Sequence, residues 1–122
     1  RFLATEMVRS NAGGGPPLPS DVAQWFVDML GSNRRAQMVA AARDLTIFDS
    51  RPRLKEIAAP TLVIAGSDDK AVPIAHARML ASGIPHSELR FIAGAGHTLI
   101  WTHPDALVSL VKLWLSGDYP HL

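Results

Sequence analysis

The segment Ala59-Pro60-Thr61-Leu62-Val63-Ile64-Ala65-Gly66-Ser67-Asp68-Asp69-Lys70-Ala71-Val72-Pro73 restricts the folds open to this chain more than any other. Thr61 to Ala65 is apolar on both faces, the pattern of a central parallel strand covered by helices on both sides. Gly66 then turns the chain, acids stand at the strand's C-terminal end, and Pro73 closes the loop. A second unit of the same kind follows from Glu88 to Gly94, continuing into Ala95-Gly96-His97. Leu89, Phe91 and Ala93 alternate there with Arg90 and Ile92, as in a strand nearer a sheet edge. Between the two units, Ile74 to Gly83 reads as a helix with Ala75, Ala77, Met79 and Leu80 available for packing. The order predicts an α/β fold: a βαβα unit with a parallel sheet and right-handed crossovers.

The flanking residues read as helices. Ser20 is placed to cap a helix over residues 21–30, whose apolar face is Val22, Trp25, Phe26, Met29 and Leu30, and Gly31 is expected to end it. Asn33 is expected to cap the next helix, with Met38, Val39, Ala42 and Leu45 on its buried side. Asp49 to Leu54 reads as a turn or short helical element broken by Pro52. Asp105 to Ser116 is the last helix, opened by Pro104 and stopped by Gly117, with Leu107, Leu110, Val111, Trp114 and Leu115 inward and Asp118–Leu122 as a tail. Gly13-Gly14-Gly15-Pro16-Pro17 cannot hold a helix and reads as a flexible connector. No Gly-Lys-Ser/Thr follows it, so it is not a phosphate loop.

Composition narrows the function classes. A net charge of +1 with no basic run longer than Arg34-Arg35 gives no reason to expect nucleic acid or an anionic membrane as partner. The absence of cysteine removes disulfides, thiolate metal sites and a Cys nucleophile together, and fits a cytoplasmic setting. No apolar run reaches the roughly 20 residues that span a bilayer. The chain opens on Arg1 and carries no signal peptide, and so reads as part of a longer polypeptide.

The chemistry rests on an acid and then a histidine, each delivered by the loop after a strand. The imidazole of a histidine such as His97 can act as a base, while an acid holding its other ring N–H fixes the tautomer. Glycines on either side of Ala95 let the histidine turn approach the acid without a Cβ in the way. No Gly-x-Ser-x-Gly occurs in the sequence, so a serine nucleophile in that context is absent; Ser10, Ser20, Ser32, Ser50, Ser67, Ser82, Ser87, Ser109 and Ser116 all lack it.

Taken together, Pro60-Thr61-Leu62-Val63-Ile64-Ala65-Gly66-Ser67-Asp68-Asp69 with Val72-Pro73, then Gly94-Ala95-Gly96-His97, then Pro104 and the helix ending in Trp114-Leu115, resemble the C-terminal portion of an α/β-hydrolase fold enzyme. The wording is most similar to the 3-oxoadipate enol-lactonase and esterase branch. In that family the triad acid sits three residues after the glycine and four before the proline, which selects Asp69 over Asp68. Family members often carry Glu five residues after the histidine; Thr102 stands here instead, at a position outside the triad. The resemblance implies that residues 1–49 are a helical cap, or lid, remnant and that 50–122 are the C-terminal part of the hydrolase core. It also implies catalytic roles for Asp69 and His97, a substrate pocket lined by Val72, Leu99 and Trp25, no cofactor, and a small ester or lactone as substrate.

Other readings stand beside these. Asp68 reads as an Asx-type turn former. His76, His86, His103 and His121 read as surface or helix-end residues. Asp68, Asp69 and His76 could be drawn as a metal site, but no ligand spacing supports one, and no metal is expected. Gly94-Ala95-Gly96 lacks the third glycine and ribose-binding acid of a dinucleotide fingerprint. The function expected is the acid–histidine half of a serine hydrolase, inactive by itself. The alternatives are a dehalogenase- or perhydrolase-like member of the same fold, or a non-catalytic interaction module. The open edge of residues 61–65 is expected to pair with the missing N-terminal part or with another copy of the chain.

Overall fold

The structure, a computed structural model, describes Thr5, Glu6, Val8, Asn11 and residues 13–117. The tail Asp118–Leu122, with His121, and Ser10 lie outside the described residues. Along the chain run α1 (Ser20–Ser32), α2 (Arg35–Ile47), a 3₁₀ turn (Arg51–Glu56), β1 (Thr61–Gly66), α3 (Ile74–Gly83), β2 (Ser87–Ile92), the short α4 (Leu99–Thr102) and α5 (Pro104–Ser116).

β1 and β2 pair in parallel, in a register that sets Thr61 opposite Ser87 and Gly66 opposite Ile92. Parallel strands need a crossover, and α3 provides it, packing on both strands and on the 3₁₀ turn. Leu54, Ile84, Ile92 and Ala95 form the buried core. Gly83 lets the 3₁₀ turn dock: a Cβ there would lie 2.7 Å from Leu54 Cδ1. This register brings the C-terminal ends of the two strands side by side. The acid loop and the histidine loop therefore leave the sheet from one edge, where open α/β sheets build their sites.

Several expectations are corrected. Thr61 to Ala65 is half-buried, not enclosed on both faces; among the described residues, α3 is the helix that packs extensively on the sheet. In β2 the buried residue is Ile92 and the exposed one Phe91, the reverse of the expected alternation. Pro52 lies in the first turn of its 3₁₀ element, where its missing N–H is not needed, and opens that element instead of breaking it. Pro19, not Ser20, occupies the N-cap of α1, and no side chain caps it. Gly31 does not take the left-handed conformation that ends a helix, so α1 continues to Ser32. Asn33 closes α1 rather than capping α2, donating its backbone N–H to Leu30 and its side-chain amide to the carbonyl of Met29.

Met38, Val39, Ala42 and Leu45 of α2 are all exposed, because no described element packs closely on that helix. Of the apolar stripe on α1, Val22, Phe26 and Leu30 are half-buried, whereas Trp25 and Met29 are exposed. In α5, Leu107, Leu110 and Trp114 are half-buried, while Val111 and Leu115 face outward. Gly117 does end α5, in the left-handed conformation at φ 72°.

Candidate active site

Beyond Gly66 the chain makes a tight turn whose centre is the Asp69 carboxylate. Asp69 Oδ1 accepts the backbone N–H of Ala71 at 2.9 Å and of Val72 at 2.8 Å. The Asx-type turn expected at Asp68 thus belongs to Asp69, and Asp68 Oδ1 instead accepts the Ser67 hydroxyl at 3.0 Å. With Oδ1 fixed by the backbone, Oδ2 points across to the second loop and lies 3.0 Å from His97 Nδ1. The Asp69 side chain is 11% exposed and that of His97 51%, so the acid is shielded while the imidazole looks outward.

The two loops are stitched together at the backbone. Ser67 N–H donates to the Ile92 carbonyl and Asp68 N–H to the Ala95 carbonyl. The Ser67 hydroxyl accepts the Gly94 N–H at 2.8 Å, a bond across 27 positions. Ala95 is fully buried beneath Gly66, where an added Cβ would lie 2.2 Å from the Ala95 oxygen. Gly13-Gly14-Gly15, expected to be a flexible connector, instead lies across both loops. Its Gly13 carbonyl accepts the N–H of Lys70 and the N–H of His97.

Burial pushes the Asp69 carboxyl up, but hydrogen bonds from Val72, His97 and Ala71 outweigh it and hold the group below its ordinary value. Asp49, at the surface, is held down to about 2 by the side-chain and backbone hydrogen bonds of Arg51. For both acids the folded pKa lies below the unfolded one. Their stabilisation is therefore complete above the ordinary carboxylate value near about 4 and is lost as pH falls through the folded value. The native chain is expected to lose melting temperature between about pH 5 and pH 3 more steeply than Asp69→Asn, in which one of these acids no longer titrates. Parallel acid limbs in thermal melts would contradict that assignment.

An apolar hollow of about 110 Å³ opens beside His97, lined by Phe26, Ala71 and Thr98 together with Val8, Asn11, Gly13 and Leu18. Trp25, Val72 and Leu99 lie outside this lining, each next in sequence to a residue that belongs to it. Trp25 instead packs against Phe26 and Trp101, with ring centroids 6.1 and 6.2 Å away, and so backs the wall. Val72 contributes its backbone N–H to Asp69, and Leu99 begins α4. A helical stripe shows that Trp25 and Phe26 share a face; which of them fronts a cavity depends on the strand loops opposite. A polar groove is lined by Gly15, Pro16, Ser67, Asp68, Asp69, Lys70 and Gly94.

Among the described residues no group of His, Asp and Glu side chains could hold a metal ion. His76 and His86 are exposed, and His103 caps α5 beside the Thr102 hydroxyl. No helix among them is long and apolar enough to cross a membrane.

The chain is 42% identical over 73 residues to the 2-hydroxy-6-oxo-6-phenylhexa-2,4-dienoate hydrolase of Burkholderia cepacia, across 60% of this chain and 26% of that protein. It is 41% identical over 68 residues to a 2-hydroxy-6-oxononadienedioate/2-hydroxy-6-oxononatrienedioate hydrolase of Klebsiella pneumoniae, across 56% of this chain and 24% of that protein. A third relative is the polyketide synthase ThaQ of Burkholderia thailandensis, 40% identical over 80 residues, which are 66% of this chain and 4% of that protein. Among solved structures, MenH from S. aureus superposes with a TM-score of 0.70 at 29% identity, over 83% of this chain and 39% of that one. The chain thus spans about a quarter of the two hydrolases, 26% and 24% of their lengths. Residues 20–104 carry the signature of the alpha/beta hydrolase fold, and with parallel strands that deliver an acid and a histidine to one edge, this chain belongs to that family.

Proposed function

We propose that this chain supplies the acid and the base of a hydrolase that opens small esters or lactones by acyl transfer to a serine. The nucleophile is carried on polypeptide outside these residues. The observation that carries the reading is the bond of His97 Nδ1 to a carboxylate whose other oxygen already holds two backbone N–H groups. A carboxylate so anchored has one orientation available, and it imposes one on the ring. Nδ1–H donates to Asp69 Oδ2, which leaves Nε2 as the unprotonated nitrogen that takes a hydroxyl proton. The depressed pKa keeps Asp69 ionised, so it stabilises the imidazolium that forms and does not take the proton itself. His97 then returns that proton to the leaving oxygen.

The absence of a Gly-x-Ser-x-Gly elbow means that the pure chain is expected to show no His97-dependent turnover of short-chain esters. Turnover abolished by His97→Ala in the isolated chain would overturn this. The free edge of β1 is inferred to pair with a strand of the polypeptide that brings the serine. A second reading is favoured by the relatives named as hydrolases of 2-hydroxy-6-oxo-dienoates. On that reading the group attacked is the 6-oxo carbonyl rather than an ester, and the same Asp69–His97 pair serves. Assaying the assembled enzyme on both substrate classes separates the two.

A further inference from the structure

We propose that Gly13-Gly14-Gly15 is a positioning strap for the Asp69–His97 pair, an inference that rests on that pair being the working one. The strand register aligns Gly66 with Ile92, but the carboxylate and the imidazole lie beyond those ends and beyond the bonds of Ser67 and Asp68 to the second loop. The strap fixes both loops at a single atom. The carbonyl oxygen of Gly13 accepts the N–H of Lys70, next to the acid, at 3.2 Å and the N–H of His97 itself at 2.8 Å.

The glycines are what permit that approach. A Cβ on Gly14 would lie 2.0 Å from the Asp68 oxygen, and one on Gly15 would lie 2.3 Å from the Gly96 nitrogen. Reciprocally, a Cβ on Gly96 would lie 1.9 Å from the Gly14 oxygen. At each of these three glycines the nearest atom is backbone, which cannot swing aside as a side chain can. Gly14 and Gly15 also take φ of +72° and +69°, a region that L side chains rarely adopt. Asn11 pins the strap from outside: its carbonyl accepts the Gly14 N–H, and its side-chain amide donates to the Gly15 carbonyl. Misplacement of a catalytic group by about 1 Å costs on the order of a hundredfold in rate, and an atom shared by both loops guards against it.

Packing alone would also favour these glycines, so the test reads the pair directly. Gly117 shares the +72° φ of Gly14, but a Cβ there meets nothing within 4 Å. Gly117→Ala therefore imposes comparable backbone strain without touching the strap. Proton NMR of the chain would follow the His97 Nδ1–H resonance, and carbon NMR the Asp69 carboxyl titration. Gly14→Ala is expected to lose the Nδ1–H resonance and raise the Asp69 pKa while the amides of β1 and β2 stay protected; Gly117→Ala leaves both signals in place. An unmoved resonance and an unchanged titration in Gly14→Ala would overturn the strap. Should Gly14→Ala not fold, Gly13→Ala decides, since its Cβ would sit 3.0 Å from His97 Cβ. A displaced resonance then supports the strap and an unmoved one overturns it. The readout is geometric: an assembled enzyme without activity but with the resonance intact refutes the proposed reaction and leaves the strap standing.

Discussion

On the proposed function, His97→Ala is expected to lower kcat/KM of the assembled hydrolase by about six orders of magnitude, and Asp69→Asn by about four. The two losses have different origins. Removing the imidazole leaves the hydroxyl with no base, whereas an amide at position 69 still meets the ring but can present an N–H where His97 needs an acceptor. The wrong ring nitrogen then carries the proton. Because both side chains act as a unit in the proposed reaction, the loss is expected chiefly in kcat, and the double variant should lose scarcely more than His97→Ala. Steady-state kinetics of the three variants on one ester would show this. Additive losses, or a loss confined to KM, would remove the pair from the chemistry.

Gly66→Ala is expected to cost about 3 kcal/mol of folding stability, against about 1 kcal/mol for Gly94→Ala. At Gly66 the new Cβ meets the Ala95 oxygen at 2.2 Å, the Ala95 carbon at 2.6 Å and the Gly96 oxygen at 2.8 Å, all backbone. The only relief is to lift the histidine loop away from the end of β1, which exposes the fully buried Ala95 and strains the Asp68–Ala95 bond. Gly94 has a left-handed φ but open space around it, so alanine there pays for conformation alone. Urea denaturation of both variants measures the difference, and equal midpoints would show that the two loops do not bear on each other at Gly66.

What could be read from the chain is what local chemistry controls. β1, α3 and α5 fall where Gly66, Pro73, Gly83, Pro104 and Gly117 punctuate the apolar runs, because turns and helix ends depend on a few neighbouring residues. That Asp69 and His97 meet also follows from loop spacing after two paired strands. The burial of helix faces was not legible. Met38, Val39 and Leu45 have helical spacing, yet spacing says which residues share a face and not whether anything covers it. Nor was the glycine segment. Its partners, Lys70 and His97, stand far along the chain, and glycines that are costly to order in isolation become required at positions 14 and 15 once two loops converge. The Ser67–Gly94 bond escaped for the same reason.

The hollow beside the imidazole draws its walls from three sources, one of them the segment of Val8, Asn11, Gly13 and Leu18 that precedes the first helix. Ala71 and Thr98 sit within the loops that hold the acid and the base, while Phe26 comes from a separate helix. Changes at Ala71 or Thr98 therefore touch alignment and selectivity at once, and an evolving lineage could rarely alter one without the other. Phe26 carries no such double duty. If the proposed reading holds, adaptation to a new substrate has a freer path through that helix than through the two loops.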